Sequence, residues 1–207
     1  MINVLIVEDS RVSRNAFQRE ISGMAGYKVI AAIENAANAE LICLQNKVDL
    51  ILMDICTADD ESGLEAAGKI KEDFPEIRII MMTSMPEYTF ISKARESGCD
   101  SFWYKETDDI SLSEIIQRTM TDDFVWPDET PNIKIGCADS RDFTKRELQV
   151  IRDLAAGKKY SEIADHLQLS ENTVKYHVKN ILQKTGFRNI LSLVVEVVEK
   201  KYILPKY

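Results

Sequence analysis

Five short apolar runs recur along the first half of the chain, at Ile2–Val7, Lys28–Ile33, Leu50–Met53, Arg78–Met82 and Ser101–Tyr104. Each has the length of a strand and lies between polar stretches, which favours strand over helix. Helical periodicity fills the intervals, at roughly 11–22, 35–46, 63–73, 87–97 and 108–120. In the last of these, Ile110, Ile115, Ile116 and Met120 follow Asp108 and Asp109, acids suited to a helix N-terminus. Such alternation predicts an α/β fold, a parallel sheet with helices on both faces. Right-handed crossovers leave few topologies, and the doubly wound strand order 2-1-3-4-5 fits this length.

Parallel strands bring their carboxyl ends to one rim, where folds of this kind build their sites. The first strand ends at Glu8 and Asp9, the third at Asp54, the fourth at Thr83 and Ser84, the fifth at Lys105. Any one carboxylate at a strand end is more often a cap or loop residue, but the set is far more specific. Three crowded carboxylates cannot all ionise cheaply without a counter-charge. Mg²⁺ supplies one, because it is content with few carboxylates plus waters and phosphate oxygens. Lys105 offers a point charge to a phosphoryl oxygen and Thr83 a hydroxyl donor. The apolar run beneath Asp54 holds that carboxylate still, as an in-line phosphoryl acceptor requires.

The charge is divided along the chain. Residues 1–121 carry 12 basic and 21 acidic side chains, residues 122–142 carry 2 and 6, and residues 143–207 carry 12 and 7. An acidic front and a basic tail imply two tasks, the second involving a polyanion. Between them, Pro127, Pro131 and Gly136 interrupt a stretch with no helical period. The expected organisation is therefore a domain over 1–121, a linker over 122–142 and a second domain over 143–207. No apolar stretch approaches membrane-spanning length, and the opening INVLIV is too short for a signal peptide, so no membrane partner is expected. Cys43, Cys56, Cys99 and Cys137 form no CxxC pair and the chain has 2 histidines, which points to reduced thiols in a cytoplasm and argues against structural zinc.

The tail has its own punctuation. Thr144 with Glu147 forms a capping box before Leu148, Ile151, Leu154 and Ala155, and Gly157 closes that helix. Ser161 is read as the cap of a short helix bearing Ile163, Ala164 and Leu167. After a tight turn at Leu169 and Ser170, a longer helix runs to about Thr185 and stops at Gly186. Two helices joined by so short a turn form a helix-turn-helix. Val174, Val178, Ile181 and Leu182 share one face of the longer helix, with Asn172, Lys175, Tyr176, Lys179 and Gln183 opposite. A polar face is common on amphipathic helices, but here the motif and positive charge favour a major-groove reader, mixing phosphate-binding cations with hydrogen-bonding groups. His166 and His177 are read as structural or backbone-contacting. A closing stripe of Ile190, Leu191, Val194, Val197 and Val198 is read as core.

The segments VEDS (7–10), LMDI (52–55), MTS (82–84) and FWYK (102–105) resemble the receiver domain of bacterial response regulators. That resemblance implies that Asp54 accepts a phosphoryl group from a sensor histidine kinase. It further implies that Glu8, Asp9, Asp54 and the backbone carbonyl of Cys56 hold Mg²⁺, that Thr83 and Lys105 attend the phosphoryl group, and that Thr83 and Phe102 form the switch. One departure bears on metal geometry and on the lifetime of the phosphorylated state. The family's Met-Pro is missing, TADDES intervenes, and Gly63 arrives one position late. The tail, T-K-R-E … IA … L … S-E-N-T-V-K-Y-H-V, resembles the LuxR-type helix-turn-helix, and the whole chain is similar to the NarL/FixJ class. By that resemblance Lys175, Tyr176 and Lys179 enter the groove of double-stranded promoter DNA, Thr173 touches phosphate, and part of the last helix serves a homodimer. RNA polymerase is a further candidate partner.

The expected function is a phosphorylation-controlled transcription factor rather than an enzyme. A rival is a Mg²⁺-dependent phosphohydrolase with an Asp nucleophile; such enzymes place a second Asp two residues on, where this chain has Cys56. A second rival is a receiver-shaped module that works without phosphorylation.

Overall fold

The computed structural model describes residues 1–105 and 110–204, with the side chain of Asp60 outside that description. It resolves into two compact units, Met1–Ser84 with Thr89–Glu129, and Met85–Tyr88 with Thr130–Tyr207.

In the first unit, strands β1 (Ile2–Val7), β2 (Tyr27–Ile33), β3 (Leu50–Asp54), β4 (Arg78–Thr83) and β5 (Ser101–Tyr104) form one parallel sheet in the order β2-β1-β3-β4-β5. The expected α/β topology is the one observed. Helices α1 (Arg11–Ser22), α2 (Ala39–Gln45), α3 (Gly63–Asp73) and α4 (Phe90–Glu96) fill the four crossovers, and α5 (Leu112–Met120) follows β5. Side chains alternate across a strand, so Val4, Ile6, Leu50, Leu52, Ile80, Met82 and Trp103 share one face. They pack there against Phe17 and Ile21 of α1 and Leu112, Ile115 and Ile116 of α5. β3 is buried at every position, which is why it reads as an unbroken apolar run.

Several boundaries differ from the sequence reading. The interval 35–46 opens with a tight turn over Ala36–Asn38 before α2, and α4 is shorter than 87–97. Leu112–Met120 takes its cap from Ser111, whose hydroxyl accepts from the Glu114 amide. The acids expected to start that helix, Asp108 and Asp109, lie outside the described residues.

The second unit opens with a small antiparallel pair, β6 (Lys134–Ile135) and β7 (Ala138–Asp139). Helices α6 (Lys145–Ala155), α7 (Tyr160–Leu167), α8 (Glu171–Thr185) and α9 (Ile190–Glu199) follow. Their core joins Val150 and Ile151, Ile163 and Leu167, Val174, Val178 and Ile181, and Leu193 and Val197. The Thr144–Glu147 box forms as expected, and Gly186 ends α8 at φ 74°, a backbone conformation glycine adopts freely. Two readings need correction. Ser161 lies inside α7 rather than capping it; the cap is Lys159, whose amide donates to the Glu162 carboxylate at 2.7 Å. On α9, Leu191 is 72% exposed and Leu193 is buried, because the turn at Asn189 sets a phase of the helix that periodicity alone left open.

Candidate functional site

At the carboxyl rim of the sheet, β1 and β3 deliver Glu8, Asp9 and Asp54 to one point. One carboxylate oxygen from each lies within 4.8 Å of those of the other two. Glu8 is 1% and Asp54 6% exposed, whereas Asp9 faces solvent. β5 brings in Lys105, whose Nζ stands 2.6 Å from Glu8 Oε2 and 2.9 Å from Asp54 Oδ2. The ammonium therefore bridges two carboxylates contributed by different strands.

Burial pushes the Asp54 carboxyl from its usual 3.8 up to about 7; Lys105 opposes that rise, while Glu8 and Asp9 add to it. Burial also works against the charge on Lys105, but Asp54 and Glu8 outweigh it and raise its pKa. Among the described residues, Lys105 thus meets two of the three acids, and the ionised site is short of positive charge. A small divalent cation fits these donors: hard oxygens, few in number, with Asp9 open to water.

Backbone interactions fix the acidic pair. The Ser10 amide donates to Glu8 Oε1 at 3.1 Å, and Ser10 itself caps α1. Arg14, one turn on, donates to the carbonyls of Glu8 at 2.6 Å and Asp9 at 3.1 Å. Sequence reasoning missed Arg14, since an arginine early in a helix carries no signal of a carbonyl partner five or six residues back.

The loop after Asp54 closes on itself. Cys56 bridges Ser62, Thr57 donates its hydroxyl to the Glu61 carbonyl at 2.8 Å, and it accepts from the Ala36 amide at 3.0 Å. Asp59 takes φ 58°, tolerable for aspartate, and its carboxylate accepts from Asn35 Nδ2 at 2.9 Å. The extra residue is absorbed in this turn, and Gly63 returns to the rim with its amide on the Ile55 carbonyl at 2.9 Å. A Cβ there would stand 1.9 Å from the Asp54 carbonyl oxygen, so only glycine fits. The late glycine still performs a close approach.

Thr83 ends β4 on the same sheet face as its register partner Tyr104, and Met81 pairs with Phe102. Thr83 and Phe102 are both buried at 1% exposure. Phe102 meets Tyr104 edge-on, with ring centroids 5.0 Å apart.

In the second unit α8 presents a separate surface. Lys175, Tyr176 and Lys179 are exposed, Tyr176 by 62%, on the side away from Val174, Val178 and Ile181. Thr173 is half-buried in the first turn, its amide donating to the Ser170 hydroxyl at 3.1 Å. The far end of α8 is anchored by Lys184, which reaches Glu147 Oε2 at 2.7 Å and the Asp142 carbonyl at 2.9 Å. Burial disfavours ionised Glu147, but Lys184 and the Thr144 amide and hydroxyl outweigh it and hold its pKa below the usual range. The exposed face is thus carried on a rigid support. His166 places its Nδ1 2.7 Å from the buried Asp153 carboxylate.

Comparison with known proteins matches each half of the chain to a family. The response regulator receiver domain matches residues 4–117, and the luxR family of bacterial regulatory proteins matches residues 141–197. The response regulator protein VraR of Staphylococcus saprophyticus is 31% identical over 188 residues, spanning 88% of this chain and 90% of that protein. VraR of Staphylococcus aureus is 32% identical over 190 residues, with the same shares. Among solved structures, RcsB dimers bound to DNA align over 95% of this chain and 98% of theirs, at TM-score 0.66 and 18% identity. RcsB of Salmonella enterica serovar Typhimurium, bound to a promoter with a phosphomimetic, gives TM-score 0.63 at 18% identity over the same shares. At that identity these two report the fold.

Proposed function

The chain belongs to the response regulators that join a receiver domain to a LuxR-type DNA-binding domain, and on that premise we propose that Asp54 is its phosphoacceptor. Phosphorylation-controlled regulation of transcription is its function, with a histidine kinase and DNA as partners. The observation that carries the assignment of Asp54 is the convergence of Glu8, Asp9 and Asp54 within 4.8 Å, with Lys105 2.9 Å from Asp54.

In the proposed reaction an ionised Asp54 oxygen attacks phosphorus in line. The bond from phosphorus to the donor's imidazole nitrogen breaks, that nitrogen keeps the electron pair, and an aspartyl phosphate forms. Asp54 is held for this by β3 on one side and Gly63 on the other. Lys105 stabilises the phosphoryl charge as it leaves the donor, and Thr83 donates its hydroxyl to a phosphoryl oxygen. Glu8, Asp9, Asp54 and the Cys56 carbonyl would hold Mg²⁺, which neutralises acid charge and so favours the ionised nucleophile. Thr83 and Phe102 form the switch that reports the modification.

On DNA, Lys175, Tyr176 and Lys179 of α8 read the major groove and Thr173 meets phosphate, in a homodimer spanning two half-sites. The support for this is their common exposed face on a helix anchored at its far end by Lys184. We take residues 1–121 as receiver, 122–142 as linker and 143–207 as DNA-binding domain, in a cytoplasmic regulator with no enzymatic substrate of its own. No described helix is long and apolar enough to cross a membrane.

The test is intact-mass analysis with a small phosphodonor and Mg²⁺, beside genome-wide footprinting. Wild type gains one phosphoryl mass and alters its footprint, whereas Asp54→Asn does neither. A mass gain by Asp54→Asn would refute the assignment.

A further inference from the structure

The residues after α5 are fastened to the receiver one after another. Asp122 forms an ion pair with Arg78, and Asp123 accepts from Arg118 Nε at 2.6 Å. Phe124 lies under the Arg78 guanidinium, 5.1 Å from its ring centroid. Val125 is held at both ends: its amide donates to the Ser101 hydroxyl at 3.0 Å, and its carbonyl accepts from the Phe102 amide at 2.9 Å. Ser101 is itself bridged to Thr119 of α5 at 2.7 Å. Trp126 then stacks 6.3 Å from Phe102, with the Arg95 guanidinium of α4 4.2 Å above its ring.

This arrangement answers a need of the sheet. β5 is an edge strand, and a bare edge presents unpaired amides that invite foreign strands. Val125 satisfies one of them. The aromatic separation and the cation above the indole both fall in the range where such contacts are favourable.

The occupied edge is also connected to the rim. Register pairs Thr83 with Tyr104 and Met81 with Phe102, so Thr83, Tyr104 and Phe102 share one sheet face. Tyr104 touches Phe102, and Phe102 touches Trp126. A column of side chains therefore runs from Thr83, at the carboxyl rim, to the segment leaving the receiver. A phosphoryl group on Asp54 would draw the Thr83 hydroxyl toward it, and a shift of Phe102 toward the space so opened would leave Trp126 without its platform.

We propose that residues 122–126 are a strap docked on the β5 edge and α4, that Trp126 holds it by resting on Phe102, and that phosphorylation of Asp54 releases it. The proposal rests on the phosphoacceptor reading above. Release would add five residues of tether to the DNA-binding domain, about 17 Å of extra reach when extended. Greater reach lets two tethered domains engage two half-sites at once.

Amide hydrogen exchange on the full chain tests this, with acetyl phosphate and Mg²⁺ as donor and intact mass read on the same sample. In wild type, phosphorylation should speed exchange at Phe102 and Val125 by about tenfold or more and leave Ile115 of α5 unchanged. Trp126→Ala should exchange fast at both amides before phosphorylation, gain nothing further from it, and take up phosphate as wild type does. A confirmed mass gain with unchanged protection at Val125 would overturn release, and full protection in Trp126→Ala would overturn the docking role of Trp126. Absence of a mass gain would instead defeat the phosphoacceptor reading, and the Trp126→Ala comparison would still decide the docking claim.

Discussion

Replacing Asp54 by asparagine should stabilise the protein, and by an amount that depends on pH. In the fold the Asp54 carboxyl is raised from 3.8 to about 7, first by burial and then by Glu8 and Asp9, against the pull of Lys105. The folded state thus binds this proton more tightly than the unfolded chain does. Ionisation costs nothing in stability below the unfolded pKa; the cost grows as pH rises through the interval and is complete above the folded pKa. At about 1.4 kcal/mol per pKa unit, the penalty above pH 7 amounts to about 4 kcal/mol. Asparagine removes that penalty but also loses the 2.9 Å contact with Lys105. The shift to about 7 already includes the pull of Lys105, so that contact is not subtracted again, and the gap at pH 8 should exceed the gap at the acid end by about 4 kcal/mol. Urea unfolding of both proteins in EDTA, from pH 5 to pH 9, measures the difference. It should be small at the acid end, rise toward neutrality and level off above it. A gap that is flat with pH, or a variant less stable than wild type at pH 8, would refute the account of a carboxylate strained by burial and by like charge.

Mg²⁺ should stabilise wild type weakly: for a site of about 1 mM affinity, about 10 mM cation contributes about 1.4 kcal/mol. Asp9→Ala should abolish that response in thermal melts, and equal responses would remove Asp9 as a ligand. Gly63→Ala places a methyl 1.9 Å from the Asp54 carbonyl oxygen, so backbone must shift. The expected cost is about 1–3 kcal/mol, seen in denaturation, together with slower phosphorylation. Binding curves at several salt concentrations should separate the roles on α8. A lost phosphate contact lowers the salt slope by about 1 for all sequences, and a lost base contact costs about 1–3 kcal/mol at one operator position. Lys175→Ala and Lys179→Ala should each show one of these signatures, and Tyr176→Ala should change specificity more than slope. Wild-type behaviour by all three variants on operator and scrambled DNA would exclude this face as the reader.

What the sequence alone determined is the part governed by period and order. Five apolar runs separated by helical intervals admit few right-handed parallel topologies, and parallel topology obliges strand ends to meet. Glu8, Asp9, Asp54, Thr83 and Lys105 could therefore be grouped from their positions at strand ends. The helix-turn-helix was legible too, apart from the cap of α7, because the Thr144–Glu147 capping box, a terminal glycine and a polar face are local signals. What periodicity left open, tertiary structure decided. The phase of α9, with Leu193 inside and Leu191 outside, depends on how its first turn leaves Asn189. The acidic loop after Asp54 closes through Asn35, Ala36 and Thr57, contacts reached only when β2 and β3 lie in one sheet. Gly63 is tied to its place by a carbonyl eight residues earlier, and Arg14 by carbonyls that only the turn into α1 brings near. Trp126 reads as a residue of a structureless connector until β5 becomes an edge strand. Its partners Arg95 and Phe102 are then neighbours in space that the sequence keeps more than twenty residues away. Distance along the chain hides such contacts, since their energy depends on the spacing of atoms that only the closed sheet brings together.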